Sequence, residues 1–195
     1  MRRAPVLELL ERYRAAFPRE TAVADRIEAL VRAHEDCLLR SCVPGHVTAS
    51  AWIVAPDHER FLLTHHRKLN RWLQLGGHVD GESHMHRAAM REAREESGMT
   101  DFRFVGVDGS FDDVAPLPLD LDVHLIPARK DEPEHEHHDV RFLLVAAPNQ
   151  ELAISDESND LRWFHAADFA RLGSDASVAR LLNKAEERLR RSTRA

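Results

Sequence analysis

Apolar positions recur at helical spacing at the start of the chain, with Val6, Leu9, Leu10 and Tyr13 in one run and Ala24, Ile27, Leu30 and Val31 in a second. Residues three and four apart share a helix face, so the pattern predicts helices over about 5–17 and 20–39, divided near Pro18. Pro44-Gly45 breaks the period. Beyond it, 46–54 reads as a strand, 56–59 as a turn, and 61–64 as the returning strand of a hairpin. Further strands are expected at 102–107, 121–126 and 138–146, the last a nearly continuous apolar run suited to the middle of a sheet. A short strand at 161–164 and a basic amphipathic helix at 178–191 complete the pattern. No internal repeat is visible, and 131–139, DEPEHEHHD, is the one strongly biased stretch.

Composition narrows the class. A chain of 195 residues, 43% hydrophobic and 31% charged, can bury one core. Its net charge of -6 argues against a broad nucleic-acid surface, which needs cations to offset phosphate. The only cysteines, Cys37 and Cys42, show neither metal-ligand spacing nor a disulfide framework, which suits a reducing compartment. Glu8 and Glu11 interrupt what would have to be the apolar run of a secretory signal, and no segment reaches the roughly 20 apolar residues of a membrane span. A cytoplasmic protein that does not enter the membrane is expected.

The segment 76–99, GGHVDGESHMHRAAMREAREESGM, sets Glu92, Glu95 and Glu96 within an arc of about 100° on one helix. Like charges at this spacing cost about 0.2–0.5 kcal/mol per pair, so they are either solvated or hold a cation between them. Gly98 supplies a helix stop and Ser83 a cap, which predicts a helix over about 84–97. Met90, Ala93 and Ser97 point to its other side. Surface glutamates paired with Arg87, Arg91 and Arg94 would be the ordinary interpretation of such a helix. The glycines that precede it by a short loop change the balance, because backbone at Gly76 and Gly77 can approach a ligand closely. Carboxylates beside such a loop suit a hard divalent ion, Mg2+ or Mn2+.

In this order the residues resemble the box of the Nudix hydrolase family: glycine, five residues, glutamate, seven residues, then Arg-Glu-apolar-x-Glu-Glu-x-Gly-apolar. Gly77, Arg91, Glu92, Ala93, Glu95, Glu96, Gly98 and Met99 occupy that pattern in register. One position departs from it. Ser83 stands where the family has its first glutamate, with Glu82 one place early, so either Glu82 serves or the site lacks that outer carboxylate.

The resemblance implies an α/β fold, a Nudix-type α/β/α sandwich with a mixed sheet, over residues 44–195, preceded by a helical N-terminal extension over 1–43. It implies hydrolysis of a diphosphate linkage in a nucleoside diphosphate joined to another group, with Mg2+ or Mn2+ as cofactor and a small-molecule diphosphate as partner. By the same resemblance Glu92 and Glu96 are the principal metal ligands, Glu95 assists or orients water, and Glu82 is the candidate for the outer carboxylate if the loop shifts to bring it in. Arg91 would hold the carboxylates by ion pairing. Glu157, in a late loop, would be a further metal ligand or general base.

Around this site Arg67 and Arg71 are expected to contact phosphate and Trp72 to stack on a base, against the plainer alternative of a solvated hairpin edge and a packed tryptophan. Trp52 and Trp163 are assigned to the core. Histidine is abundant, 13 in all. His135, His137 and Asp139 alternate, so a strand beginning this early turns them to one face with Arg141, near His78 and His124. Such imidazoles bind a transition metal or donate to substrate; His78 and His137 are assigned to substrate, with His137 titrating near 6.5. The plain alternative is an acidic loop in water.

Two rival functions remain. A non-catalytic nucleotide-sensing module would carry a degraded box or a DNA-binding attachment, whereas here the Arg-Glu-x-x-Glu-Glu core is intact and the N-terminal helices read as a packing or homodimer element. An isopentenyl diphosphate isomerase would need a cysteine in the site, and Cys37 and Cys42 lie in the extension.

Overall fold

Alternation along one central strand sorts the protein into two sides. In β1 (Gly45–Val54) every residue is buried. Val47, Ala49, Ala51 and Ile53 face one apolar core while Trp52 and Val54 face another, as a side-chain period of two requires. The structure, a computed structural model, describes residues 3–129, 132–156, 158–172 and 176–192. Its elements in chain order are α1 (Ala4–Ala16), α2 (Thr21–Ala33), β1, β2 (Arg60–His66), β3 (Arg71–Leu73), β4 (Leu75–His78), α3 (Met85–Ser97), β5 (Phe102–Phe104), β6 (Asp120–Ile126), β7 (His135–Ala146), β8 (Ser158–His165) and α4 (Ala176–Ser192).

The sheet is mixed. β1 and β7 run parallel through its middle, in register from Gly45 opposite Glu136 to Val54 opposite Val145. Each shares its outer edge between two antiparallel partners: β1 meets β4 over Thr48–Ala51 and β2 at Ile53–Val54, while β7 meets β6 over its first half and β5 near its end. β2 in turn pairs with β3 and β8. Helices α1, α2 and α3 bury Leu10, Tyr13, Ile27, Ala89 and Ala93 in the core on one face, and α4 buries Val178, Leu181 and Ala185 in the core on the other. This is the α/β/α sandwich expected of the sequence.

Several expectations need correction. The second helix stops at Ala33, not near 39, because His34 is extended and the chain must turn Cys37 and Leu38 into the core, where their carbonyls accept from Val47 and Gly81. The glycines lie in strand β4 and not in a loop. The strand expected over 102–107 ends at Phe104, followed by an isolated bridge between Val105 and Phe111. Conversely β7 begins at His135, early enough to put His135, His137, Asp139 and Arg141 on one face.

That face carries a buried ionic network beneath α4. Arg141, 3% exposed, places its guanidinium 2.8 Å from Asp139, 2.8 Å from Asp122 and 3.3 Å from Asp120. Arg180 and Lys184 of α4 reach Asp120 at 3.0 and 2.7 Å, and Lys184 also holds Glu20 at 2.6 Å. Glu20 accepts from the Tyr13 hydroxyl, so the network ends in the N-terminal helices.

Candidate active site

Helix α3 lies against β1 and β4, with Ala88, Ala89 and Ala93 as the small residues that let it approach the sheet. Glu92 falls on the edge of that buried face and is only 8% exposed, instead of standing in water with its neighbours. Its carboxylate sits against Gly77: a Cβ there would lie 2.8 Å from Glu92 Oε2. The neighbouring Gly76 has φ +152°, and its N–H donates to Glu96 Oε2 at 3.1 Å. The strand therefore presents one backbone donor and one missing side chain to two carboxylates of the helix. Arg91 binds from the outside, with Nη1 2.8 Å from Glu92 and 3.0 Å from Glu95, and Nη2 donating to the His78 carbonyl at 2.6 Å. Glu95 is exposed. Gly98 closes the helix at φ +72°, its N–H donating to the Arg94 carbonyl at 2.9 Å.

Ser83 does not cap α3. The N-cap is His84, which makes no side-chain cap bond, and it is the Glu82 carboxylate that accepts from the His84 N–H at 2.8 Å. Burial raises the pKa of Glu82, but the hydrogen bonds from His84 outweigh it and hold the group below the usual range. Arg67 donates to the Ser158 carbonyl at 3.3 Å, at the start of β8. Arg71 opens β3 opposite His66 and is exposed. Trp72 packs edge-on to Phe164 at 4.8 Å, a packing role rather than an open stacking platform. Glu157 lies outside the described residues.

The opposite face of β1 carries His46, Thr48 and Ser50. Thr48 and Ser50 donate to the Asp139 carboxylate at 3.2 and 2.9 Å, and the Arg141 guanidinium donates to it at 2.8 Å. His46 sits at the centre of a ring cluster, with centroids 5.1 Å from His78, 5.1 Å from His135 and 4.8 Å from His137. His124 lies 5.6 Å from His137. Burial, then the neighbouring imidazoles, pushes His137 down to about 2 and His46 to about 4. The expectation that His137 titrates near 6.5 is therefore corrected: it is a neutral ring through the ordinary pH range.

A family model described as the NUDIX domain matches residues 44–184. The chain belongs to the Nudix family. Membership carries the class of activity, that of a Nudix-type diphosphohydrolase, and the general use of a divalent metal. Among solved structures, a NUDIX-family hydrolase from Clostridium perfringens superposes with a TM-score of 0.55 at 22% identity, covering 73% of this chain and 95% of its own. An Ap4A hydrolase of C. elegans, in a binary complex, gives 0.51 at 18%, covering 72% and 95%. RenU, a Nudix hydrolase from M. smegmatis, gives 0.51 at 18%, covering 73% and 84%. These likenesses establish the fold. A search among curated proteins returns no match.

The Nudix box helix depends on what Gly77 omits. Gly77→Ala would push the Glu92 carboxylate aside; since that is a side-chain end, we expect a stability cost of about 1–3 kcal/mol but a fall in turnover on the order of 10²-fold. Parallel melting and kinetics check this, and unchanged turnover would contradict it. For the departure at Ser83, the Nudix register and the geometry separate cleanly. Glu82→Ala should cost about 1 kcal/mol through the lost bond to His84, and Ser83→Ala less than about 0.5, read as shifts in thermal melting.

His46 is the member of the histidine cluster that sequence reasoning passed over. It reads as the first residue of an ordinary strand, and only the parallel pairing that sets it beside His137 gives it a role. A signal was present in its alternation with Thr48 and Ser50, three polar residues at period two on a strand otherwise apolar.

Proposed function

We propose that the chain is a divalent-metal-dependent Nudix hydrolase that cleaves a diphosphate linkage in a nucleoside diphosphate-like small molecule. The observation that carries this is the meeting of β4 and α3: Gly76 and Gly77 converge on Glu96 and Glu92 without an intervening side chain. The donor set fits a hard cation. It consists of carboxylate oxygens at a glycine strand, with Arg91 steadying Glu92 and Glu95 from outside. Glu92 and Glu96 would hold Mg2+ or Mn2+, with Glu82 as the outer carboxylate. When bound, such an ion neutralises phosphate charge and lowers the pKa of an attacking water. Exposed Glu95 orients water, Glu157 serves as the general base, and Arg67 and Arg71 on the hairpin rim meet phosphate.

Neither rival has an observation in its favour. Cys37 and Cys42 are buried, and burial together with the Asp36 carboxylate pushes the Cys42 thiol up to about 12, the opposite of what an isomerase cysteine needs. Among the described residues no helix is long and apolar enough to cross a membrane. The test is a screen of nucleoside diphosphate-X compounds with Mg2+ or Mn2+, reading phosphate-bearing products. Metal-dependent release of a monophosphate is expected. Binding of such a compound without any cleavage would replace this function with the nucleotide-sensing module.

A further inference from the structure

One ring nitrogen from each of His46, His135 and His137 lies within 4.8 Å of the other two, on the sheet face opposite the box helix. His46 is 1% exposed, and with only the Cys42 backbone close enough to act on one ring nitrogen, the other has no hydrogen-bond partner among the described residues. An unsatisfied buried polar group costs about 1–3 kcal/mol, so a ring in this position, facing three others, calls for something that accepts its lone pair. Water or a hydroxyl would serve a single ring. Three ring nitrogens within 4.8 Å of one another are an arrangement that a metal ion can gather.

We propose that His46, His135 and His137 form a binding site for a borderline transition-metal ion of the Zn2+ or Co2+ type, separate from the glutamate site. Imidazole nitrogen is the ligand these ions prefer, whereas Mg2+ and Mn2+ prefer carboxylate and water, so the two sites sort ions by chemistry. Bonds of about 2.0–2.1 Å in a tetrahedron put nitrogens about 3.4 Å apart, so binding requires the three rings to draw together from separations of up to 4.8 Å. The outer contacts agree. His135 Nδ1 lies 2.8 Å from the Pro133 carbonyl. A carbonyl only accepts, so Nδ1 carries the proton and Nε2 keeps its lone pair, the tautomer that outer hydrogen bonds set in metal-bound histidines. Arg40, whose charge acts on His46, is paired with Glu132. His78, 5.1 Å from His46 and 5.6 Å from His137, closes the fourth side. An ion held here ties the first residues of β1 to the first residues of β7.

A second grouping, His34, Asp36 and Cys42, serves as the control, since a hydrogen bond from the Cys42 thiol to Asp36 already accounts for it. The experiment strips the full chain with a chelator and titrates it with Co2+ in millimolar Mg2+, reading visible absorption, then displaces Co2+ with Zn2+ while following thermal melting. One equivalent bound with micromolar or tighter Kd, a tetrahedral Co2+ spectrum and a rise in Tm are expected. His135→Ala and His137→Ala should each weaken binding at least 100-fold. Glu92→Gln/Glu96→Gln and Cys42→Ser should leave it unchanged. His135→Gln and His137→Gln keep a polar side chain of similar bulk and answer the question if an alanine variant misfolds. Absence of binding in the folded parent, affinity unaltered in the histidine variants, or loss in the glutamate or Cys42 variants would each overturn the site.

Discussion

Glu96→Gln is expected to lower turnover by at least about 10³-fold with the fold retained. A divalent ion supplies several kcal/mol of charge stabilisation, and each 1.36 kcal/mol is tenfold in rate. Glutamine keeps the shape and an oxygen for the Gly76 N–H, so the strand-to-helix contact survives while the charge proposed to hold the metal is lost. Repulsion on α3 is also relieved, so melting without metal should hold or rise slightly. Glu92→Gln should behave differently. Its carboxylate is mostly buried and paired with Arg91 at 2.8 Å, so removing the charge leaves a guanidinium short of a partner and should lower stability as well as rate. Steady-state kinetics beside metal-free melting separates the two effects. Full activity in Glu96→Gln would remove it from the metal site.

Arg141→Ala should cost about 3–5 kcal/mol, the range for breaking a buried ion pair by removing one partner. Asp139 and Asp120, each buried, would lose the cation between them, and Arg180 and Lys184 reach Asp120 but not Asp139. Arg141→Lys should rescue little, because one ammonium cannot span three carboxylates that the guanidinium meets on separate nitrogens. The pH dependence has a definite sign. Burial raises the Asp122 carboxyl, but His124, Arg141 and Arg180 more than reverse this and hold it well below its ordinary value. A depressed folded pKa stabilises above the unfolded value of about 3.9 and is lost as pH falls through the folded one. The deficit of Arg141→Ala, measured by urea unfolding, should therefore be full at neutral pH and shrink below about pH 4. A deficit under about 1 kcal/mol at pH 7 would show that the network is not what holds β6, β7 and α4 together.

Periodicity located the helices and the long central strand because both follow from local pattern: Val6, Leu10 and Tyr13 lie on one face of α1, and β7 is apolar on both sides through Phe142, Leu143 and Leu144. The box residues were legible in register because their spacing is set by one helix. Strand β4 was not, since Leu-Gly-Gly-His has no strand propensity of its own; pairing with β1 makes it a strand, and a Cβ at Gly76 would come within 2.3 Å of Ser50 Cβ. The histidine cluster was half legible. Alternation in β7 placed His135 and His137 together, but no local rule says which strand lies beside β7, and His46 enters only through that parallel register.

The N-terminal helices share one core with the catalytic fold. Val6, Leu10, Tyr13, Ala24, Ile27 and Val31 are fully enclosed by the same packing that covers Val47, Ala49 and Phe142. Cutting the chain before Pro44, where the family match begins, would thus uncover a contiguous greasy surface and strip Glu20 from Lys184. Such a fragment would be drawn to self-association by its bared sheet face, so a shortened version made for crystallisation or screening should retain the first helical pair.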